Sequence, residues 1–497
     1  MVKFESKNEK KDINLSFDAN QLEGNKPKRS KKWLLAIFIP TCCTLATIGL
    51  LIAGCAAFIN AFLIHDSGVK TKKMFLSMNE ISIAKSNTFK PLNNVTYPDG
   101  TGPTKGEIFE SESNAYNNFT DLTYKTLVKT DRKDNMTYCP IGLYSALNEM
   151  YGAISRDNLA ERFDALLGLN ETERVTFYKK VILANSFADE ESTIQLKNGA
   201  FFRAGYNPSA SYIDKLSKLY TMAYSCDFNN AKDVNKMVEW ANDAVHAKGF
   251  IDKDFLELND QTMLVLFSTL FFKNAWNSKY LSKENTQEPF YLANGNTEQV
   301  TYMHHSYFVD SYYDYGSYIS FKDYYYRGNA SVTYIVPKDV DDNIFELTKD
   351  VNIFKENLEN EVLPPEDEHG RRGEIEIRLS TPKFKNSVSY EFQNMMTDLG
   401  FGDMFSPSYD SFHNAFNDSK LDGKNLYLDK LKQKNEVEFN EDGSVIRSIT
   451  VPIIAATSTA PIETDVIEVK LEQPFIYIIR DINDTPIFVG HVDNPTL

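Results

Sequence analysis

Few residues in this chain have a type and spacing that could do chemistry. His304 and His305 are adjacent, and two imidazoles invite a metal ion. Neighbours on a strand point to opposite faces, however, so the pair reads as surface or core histidines. The run Glu366-Asp367-Glu368-His369-Gly370-Arg371-Arg372-Gly373 mixes both charges with two glycines and reads as a solvated loop. There is no phosphate-binding loop, no Cys-x-x-Cys and no His-Glu-x-x-His. No metal, no cofactor and no catalytic group are expected. What stands out instead is one stretch after Glu441-Asp442-Gly443-Ser444. Between Arg447 and Glu463 it has no charge, is rich in Ile, Val, Thr and Ala, and contains Pro452 and Pro461. Bare β-prone sequence of this kind normally lies inside a sheet. Two prolines and the small residues from Ala455 to Ala460 place it in an exposed loop. A loop that could also be a strand is unusual.

The elements that would hold this loop are of mixed type. Helical periodicity appears around residues 116–130, 141–154, 158–167, 212–222, 234–247 and 390–399. β-branched and aromatic runs appear around 194–202, 263–272, 331–336, 374–379, 426–439 and 475–489. Helices come early and most strands late, which argues for the α+β class over alternating βαβ units. Residues 65–107 read as a stalk, since Asn93 to Lys105 carries Pro98, Gly100, Gly102 and Pro103 and no helical period. The main domain then spans 108–497.

Composition narrows the function classes. The 497 residues are 42% hydrophobic and 25% charged, an ordinary globular balance. The net charge of −16, with no basic stripe, excludes nucleic acid as the expected partner. Of five cysteines, Cys42, Cys43 and Cys55 lie in an apolar run, leaving Cys139 and Cys226 as buried thiols rather than a disulfide framework. That apolar run, Trp33 to Ile64, has no charge and exceeds the ~20 residues needed to span a bilayer. Lys26, Lys28, Arg29, Lys31 and Lys32 precede it, so the expectation is a single-pass type II membrane protein. Residues 1–32 would be a cytosolic tail, 33–64 a signal anchor, and the ectodomain lumenal or extracellular. A cleaved signal peptide ending near Ala53–Ala57, and a lipoprotein signal at Ile52-Ala53-Gly54-Cys55, are the competing readings. Asn-x-Ser/Thr acceptors at Asn94, Asn118, Asn135, Asn170, Asn329, Asn417 and Asn483 all lie beyond the run and are consistent with a glycosylated ectodomain.

Several blocks, in order, make residues 107–497 resemble the serpin family. Tyr138-Cys139-Pro140 through Leu147 looks like a strand-to-helix segment that usually opens with Ser-Pro. Thr262-Met263-Leu264-Val265-Leu266 through Phe271-Phe272-Lys273-Asn274-Ala275-Trp276 is similar to the central strand with its Phe-Lys-Gly-x-Trp ending. Gly328-Asn329-Ala330 through Pro337, Pro474-Phe475, and Phe488-Val489-Gly490-His491 through Pro495 match later strands. The resemblance implies eight to nine helices, three β-sheets and an exposed reactive-centre loop at 444–465. It also implies a suicide-substrate inhibitor of a serine, or cysteine, protease. The target cleaves the loop, which enters the large sheet as an extra strand, and the inhibitor is consumed rather than acting as an enzyme. The other function class is a non-inhibitory serpin serving as a binding, carrier or adhesion ectodomain.

The resemblance also assigns site residues. Glu441, Gly443, Ser444 and Thr450 fit the hinge pattern, whereas Ile446, Arg447 and Ile449 stand where small residues are usual. Alternation puts Ser444, Ile446, Ser448, Thr450 and Pro452 on one face and Arg447 on the other, so insertion would bury no ion. In the sheet-opening region Cys139 replaces Ser, Ser268 replaces Asn and Gln433 replaces His. Counting from Gly443 puts the reactive bond at Thr457-Ser458, whose small flanks suit an elastase-like pocket. Counting back from Pro474 puts it at Glu463-Thr464.

Overall fold

The computed structural model describes residues 88–340, 342–364, 366, 372–444 and 465–497. Its helices begin and end where local chemistry marks them. Helix α1 (Glu110–Asp131) starts where Glu112 accepts the Phe109 amide proton at 2.8 Å. Pro140 opens α2 (Pro140–Tyr151), at a position where its missing N–H costs nothing. Helix α3 (Asp157–Leu167) stops at Gly168, whose φ of +72° favours glycine. Helix α4 (Glu171–Ala184) opens with a reciprocal box in which Asn170 Oδ1 accepts Glu173 N at 3.0 Å and Glu173 accepts Asn170 N at 3.1 Å. Helices α5 (Ala210–Lys218) and α6 (Ala231–Ala244) are followed by the short α7 (Lys253–Leu256), α8 (Ile344–Thr348) and α9 (Gln393–Asp398). These nine α-helices, among the described residues, surround three sheets.

The large sheet runs β1 (Lys90–Pro91), β5 (Thr221–Cys226), β4 (Ser192–Arg203), β6 (Leu264–Ala275), β16 (Gly443–Ser444), β15 (Lys432–Asn440) and β14 (Phe384–Glu391), with β3 (Ser186–Ala188) paired to β4. A second sheet runs β12 (Glu361–Val362), β9 (Tyr312–Asp314), β10 (Tyr318–Tyr324), β11 (Ala330–Pro337), β18 (Phe475–Asp481), β19 (Pro486–Val492) and β2 (Asn135–Tyr138). The small sheet is β17 (Asp465–Lys470), β13 (Ile375–Pro382), β8 (Thr297–Val309) and β7 (Thr286–Tyr291). Every residue of β11 and β18 is buried, the polar Ser331, Thr333, Arg480 and Asp481 included. The main hydrophobic core gathers these strands with the inner faces of α1, α2 and α4.

Two expectations meet the structure here. The type II membrane arrangement is corrected: no helix among the described residues is long and apolar enough to cross a membrane. The longest of them, α1, has 22 residues and is interrupted by Asp121, Lys125 and Lys129, whose charges are paired at the domain surface. Residues 33–64 lie outside the described residues. Within the segment read as a stalk, residues from Thr88 onward are laid on the domain. Lys90 and Pro91 pair with Ser225 and Tyr224, Phe89 stacks on Tyr224 at 5.4 Å, and Gly106 N donates to Asn483 Oδ1 at 2.8 Å. Apart from this short strand and the bridge from Gly100 to Phe187, the stretch is irregular, so it shows no helical period.

Candidate functional site

Strand β15 turns at Glu441-Asp442 and comes back as β16. Asp442 N donates to the Asn440 side chain at 3.0 Å, which tightens the turn. Burial alone would raise the Glu441 carboxyl, but Lys383 Nζ at 2.8 Å and Asn285 Nδ2 at 2.6 Å more than offset this and hold it below its usual value. Glu441 therefore enters the hinge as a fixed anion.

The next two residues occupy a strand position between β6 and β15. Gly443 pairs with Ala275 on one side and Asn440 on the other, and Ser444 pairs with Asn274 and Phe439. Both pairings are antiparallel, so β6 and β15 run parallel to each other and are joined through β16, not directly. Gly443 has φ +145°, and a Cβ there would lie 2.0 Å from the Asn274 carbonyl oxygen. Only glycine fits. Gly443→Ala is expected to push Ser444 out of the sheet, which faster amide exchange over residues 437–444 would read.

Ser444 is 1% exposed. Its Oγ lies 2.6 Å from Tyr325 Oη. The Tyr325 ring stacks on Trp276 with centroids 4.7 Å apart, and Trp276 Nε1 donates to Asn440 O at 2.8 Å. Beside them Ser192, Asn274 and Asn329 close a buried triangle. Ser192 Oγ donates to Asn274 Oδ1 at 2.6 Å, Asn274 Nδ2 to Asn329 Oδ1 at 2.6 Å, and Asn329 Nδ2 to Ser192 Oγ at 3.0 Å. Of the remaining hinge and reactive-bond residues, Ile446, Arg447, Thr450, Thr457 and Ser458 lie outside the described residues.

The sheet-opening residues are only partly brought together. Gln433 grips the α2 N-terminus through main chain: its Oε1 accepts Cys139 N and its Nε2 donates to Cys139 O, both at 2.9 Å. The Cys139 thiol takes no part, and burial pushes it up to about 12. Ser268 sits across from Asn198 in the β4–β6 ladder, and its hydroxyl is buried without a partner. Helix α2 turns Gly142, Ser145 and Glu149 to the sheet, at the spacing that aligns one face. A Cβ on Gly142 would stand 3.3 Å from Gln433 Nε2. Asn198 Nδ2 donates to Ser145 Oγ at 2.8 Å and to Tyr178 Oη at 2.7 Å. Glu149 accepts from Thr221 Oγ1 at 2.8 Å, while its Oε2 has no partner. Burial pushes the Glu149 carboxyl well above the carboxylate range, opposed only by that hydrogen bond. Lys383, Tyr325, Asn198 and Glu149 were not singled out by sequence reasoning. Glu149 alone carried a signal, as an acid on an otherwise apolar helix face.

The histidine pair diverges as the strand geometry requires. His304 lies 2.7 Å from Thr286 Oγ1 and 2.9 Å from Ser380 Oγ. His305 is buried against Asp323, 3.1 Å from Oδ2. Among the acceptor asparagines, Asn94, Asn118, Asn170 and Asn417 are exposed. Asn135 and Asn329 are buried, with their amides engaged on both sides. The Asn483 Nδ2 is also buried.

The serpin (serine protease inhibitor) family model matches residues 114–495. Serpin-ZXA of Oryza sativa subsp. japonica is 27% identical over 385 residues, covering 73% of this chain and 91% of that protein. Leukocyte elastase inhibitor A of Rattus norvegicus is 24% identical over 403 residues, covering 78% of this chain and all of that protein. The native state of the thermophilic serpin tengpin superposes with a TM-score of 0.66 at 19% identity, covering 82% of this chain and 100% of tengpin. With the family matched over this span and its three sheets in place, the chain belongs to the serpin family.

Proposed function

We propose that this serpin inhibits a protease as a suicide substrate, through cleavage in residues 445–464 and insertion of the freed segment between β6 and β15. The observation that carries this reading is the double pairing of Gly443 and Ser444 with those two parallel strands. Extending the register from Ser444 opposite Asn274 sets Val445 opposite Lys273 and Ile454 opposite Leu264, so ten residues match the rest of β6. Thr450 would then arrive opposite Ser268, supplying a partner to a hydroxyl that is buried without one. The chain acts stoichiometrically and not as an enzyme. Small residues around Thr457-Ser458 and the named activity of the rat relative favour an elastase-like target.

The second reading, a non-inhibitory binding, carrier or adhesion serpin, is favoured by bulk at Ile446 and Arg447, where a fast hinge wants small side chains. Ile446 is expected to cost roughly 1–3 kcal/mol by overpacking. An elastase-like protease separates the two. A complex that survives boiling in detergent is expected; clean turnover with no trapped protease, for this and for other serine and cysteine proteases, supports the second reading.

A further inference from the structure

Tyr325 reaches the hinge from outside the large sheet. It lies between β10 and β11, has no exposure, and is fixed by its stack on Trp276 and by an edge contact with Phe272 at 5.2 Å. The ring is therefore held before the hinge arrives. Its hydroxyl meets Ser444 Oγ at 2.6 Å, deep in the interior, where a hydroxyl without a partner is costly. The backbone on either side of this contact is equally constrained. Trp276 holds Asn440 through its indole N–H, Asn274 and Ala275 crowd Gly443, and Lys383 with Asn285 pins Glu441.

We infer that Tyr325 is a positioning residue for loop insertion: its hydroxyl docks Ser444 between β6 and β15, so the uncleaved chain already holds the first pairs of the incoming strand. The inference rests on the inhibitor reading for its role, but the docking bond is a property of the resting chain. Insertion then proceeds by adding pairs to an existing end, avoiding the costly first closure of a strand into a sheet. A hinge that starts seated offsets the slowing expected from Ile446 and Arg447.

The test uses the full chain and its Tyr325→Phe, Ser444→Ala and doubly substituted forms. Amide exchange of peptides covering residues 437–444 and 270–276, read by mass spectrometry before any cleavage, reports docking. Each single change is expected to speed exchange about fivefold, which is what about 1 kcal/mol makes of one lost hydrogen bond. The double form should be no faster than either single form, and Ser444→Thr, which keeps the hydroxyl, should stay near the parent. Additive effects, about 25-fold in the double form, or no effect at all, overturn the docking bond. If Tyr325→Phe does not fold, Ser444→Ala against Ser444→Thr decides the same point. After cleavage, Tyr325→Phe should reach the heat-stable form about fivefold more slowly than the parent, the same factor carried into a rate. An unchanged rate overturns the positioning role. A parent chain that never becomes heat-stable on cleavage overturns that role together with the inhibitor reading, while the exchange data still report the bond.

Discussion

Cleavage within residues 445–464 is expected to raise the melting temperature of this serpin by tens of degrees. Insertion adds a strand to the middle of the large sheet, in a position that Gly443 and Ser444 already mark at one end. Ten further residues would pair along β6, each hydrogen bond contributing about 1 kcal/mol net. Pro452 forfeits one such bond and Ile446 is overpacked, together roughly 2–4 kcal/mol. The remainder, at about 2–4 °C per kcal/mol for a large domain, still amounts to tens of degrees. No ion is buried, because alternation from Ser444 turns Arg447 to the outer face. Calorimetry of intact and cleaved chain checks this directly. A melting temperature unchanged by a cut at a mapped bond in the loop would mean that the segment does not insert.

The second large effect is a pH dependence set by Glu149. Its carboxyl is fully buried, meets only the Thr221 hydroxyl, and has Tyr97, Tyr178 and Tyr212 as its titratable neighbours, with no cation among them. Burial raises its folded value well above the ordinary 4.5. An acid raised in this way stabilises the fold fully below the unfolded value and loses that contribution as pH rises toward the folded one. Relative to Glu149→Gln, which is neutral and of the same shape, the parent is therefore expected to lose stability above pH 4.5. The slope approaches 1.4 kcal/mol per pH unit and levels off only above the folded value, about the cost of one proton per unit. Glu149→Gln should be the more stable form at neutral pH. Denaturant unfolding of both chains from pH 4 to pH 8 reads the difference, with every other titration cancelling. A difference that stays flat across that range would mean that Glu149 is not held as a neutral acid.

Local pattern placed most helices and strands, and where it failed the cause is specific. The period read over 212–222 runs past α5 into β5, because the break between them is Tyr220 in a left-handed conformation that no glycine or asparagine announces. Helix α4 was missed because its buried side mixes Arg174 with Phe177, Tyr178, Val181 and Ile182, a face that β-branched and aromatic residues disguise. The run 475–489 is two strands, folded back at a turn where Asp481 accepts the Asn483 and Thr485 amides.

By itself the sequence determined the serpin family and the α+β class, because both are written in blocks of contiguous residues. Its reading of a membrane-spanning arrangement did not carry over. What only the tertiary structure decided are the contacts made across long separations. Ser444 meets Tyr325 from 119 residues away, Thr221 meets Glu149 across 72, and Gln433 grips Cys139 across 294. The family resemblance put Cys139, Ser268 and Gln433 in one sheet-opening region, yet Gln433 spends both ends of its amide on the Cys139 main chain and leaves Ser268 aside. The side chain of Asn329, within an Asn-x-Ser motif, is set by folding beside Asn274 and Ser192. A hydrogen bond depends on where two chains cross, and local pattern specifies the strands but not the partner atoms at the crossing.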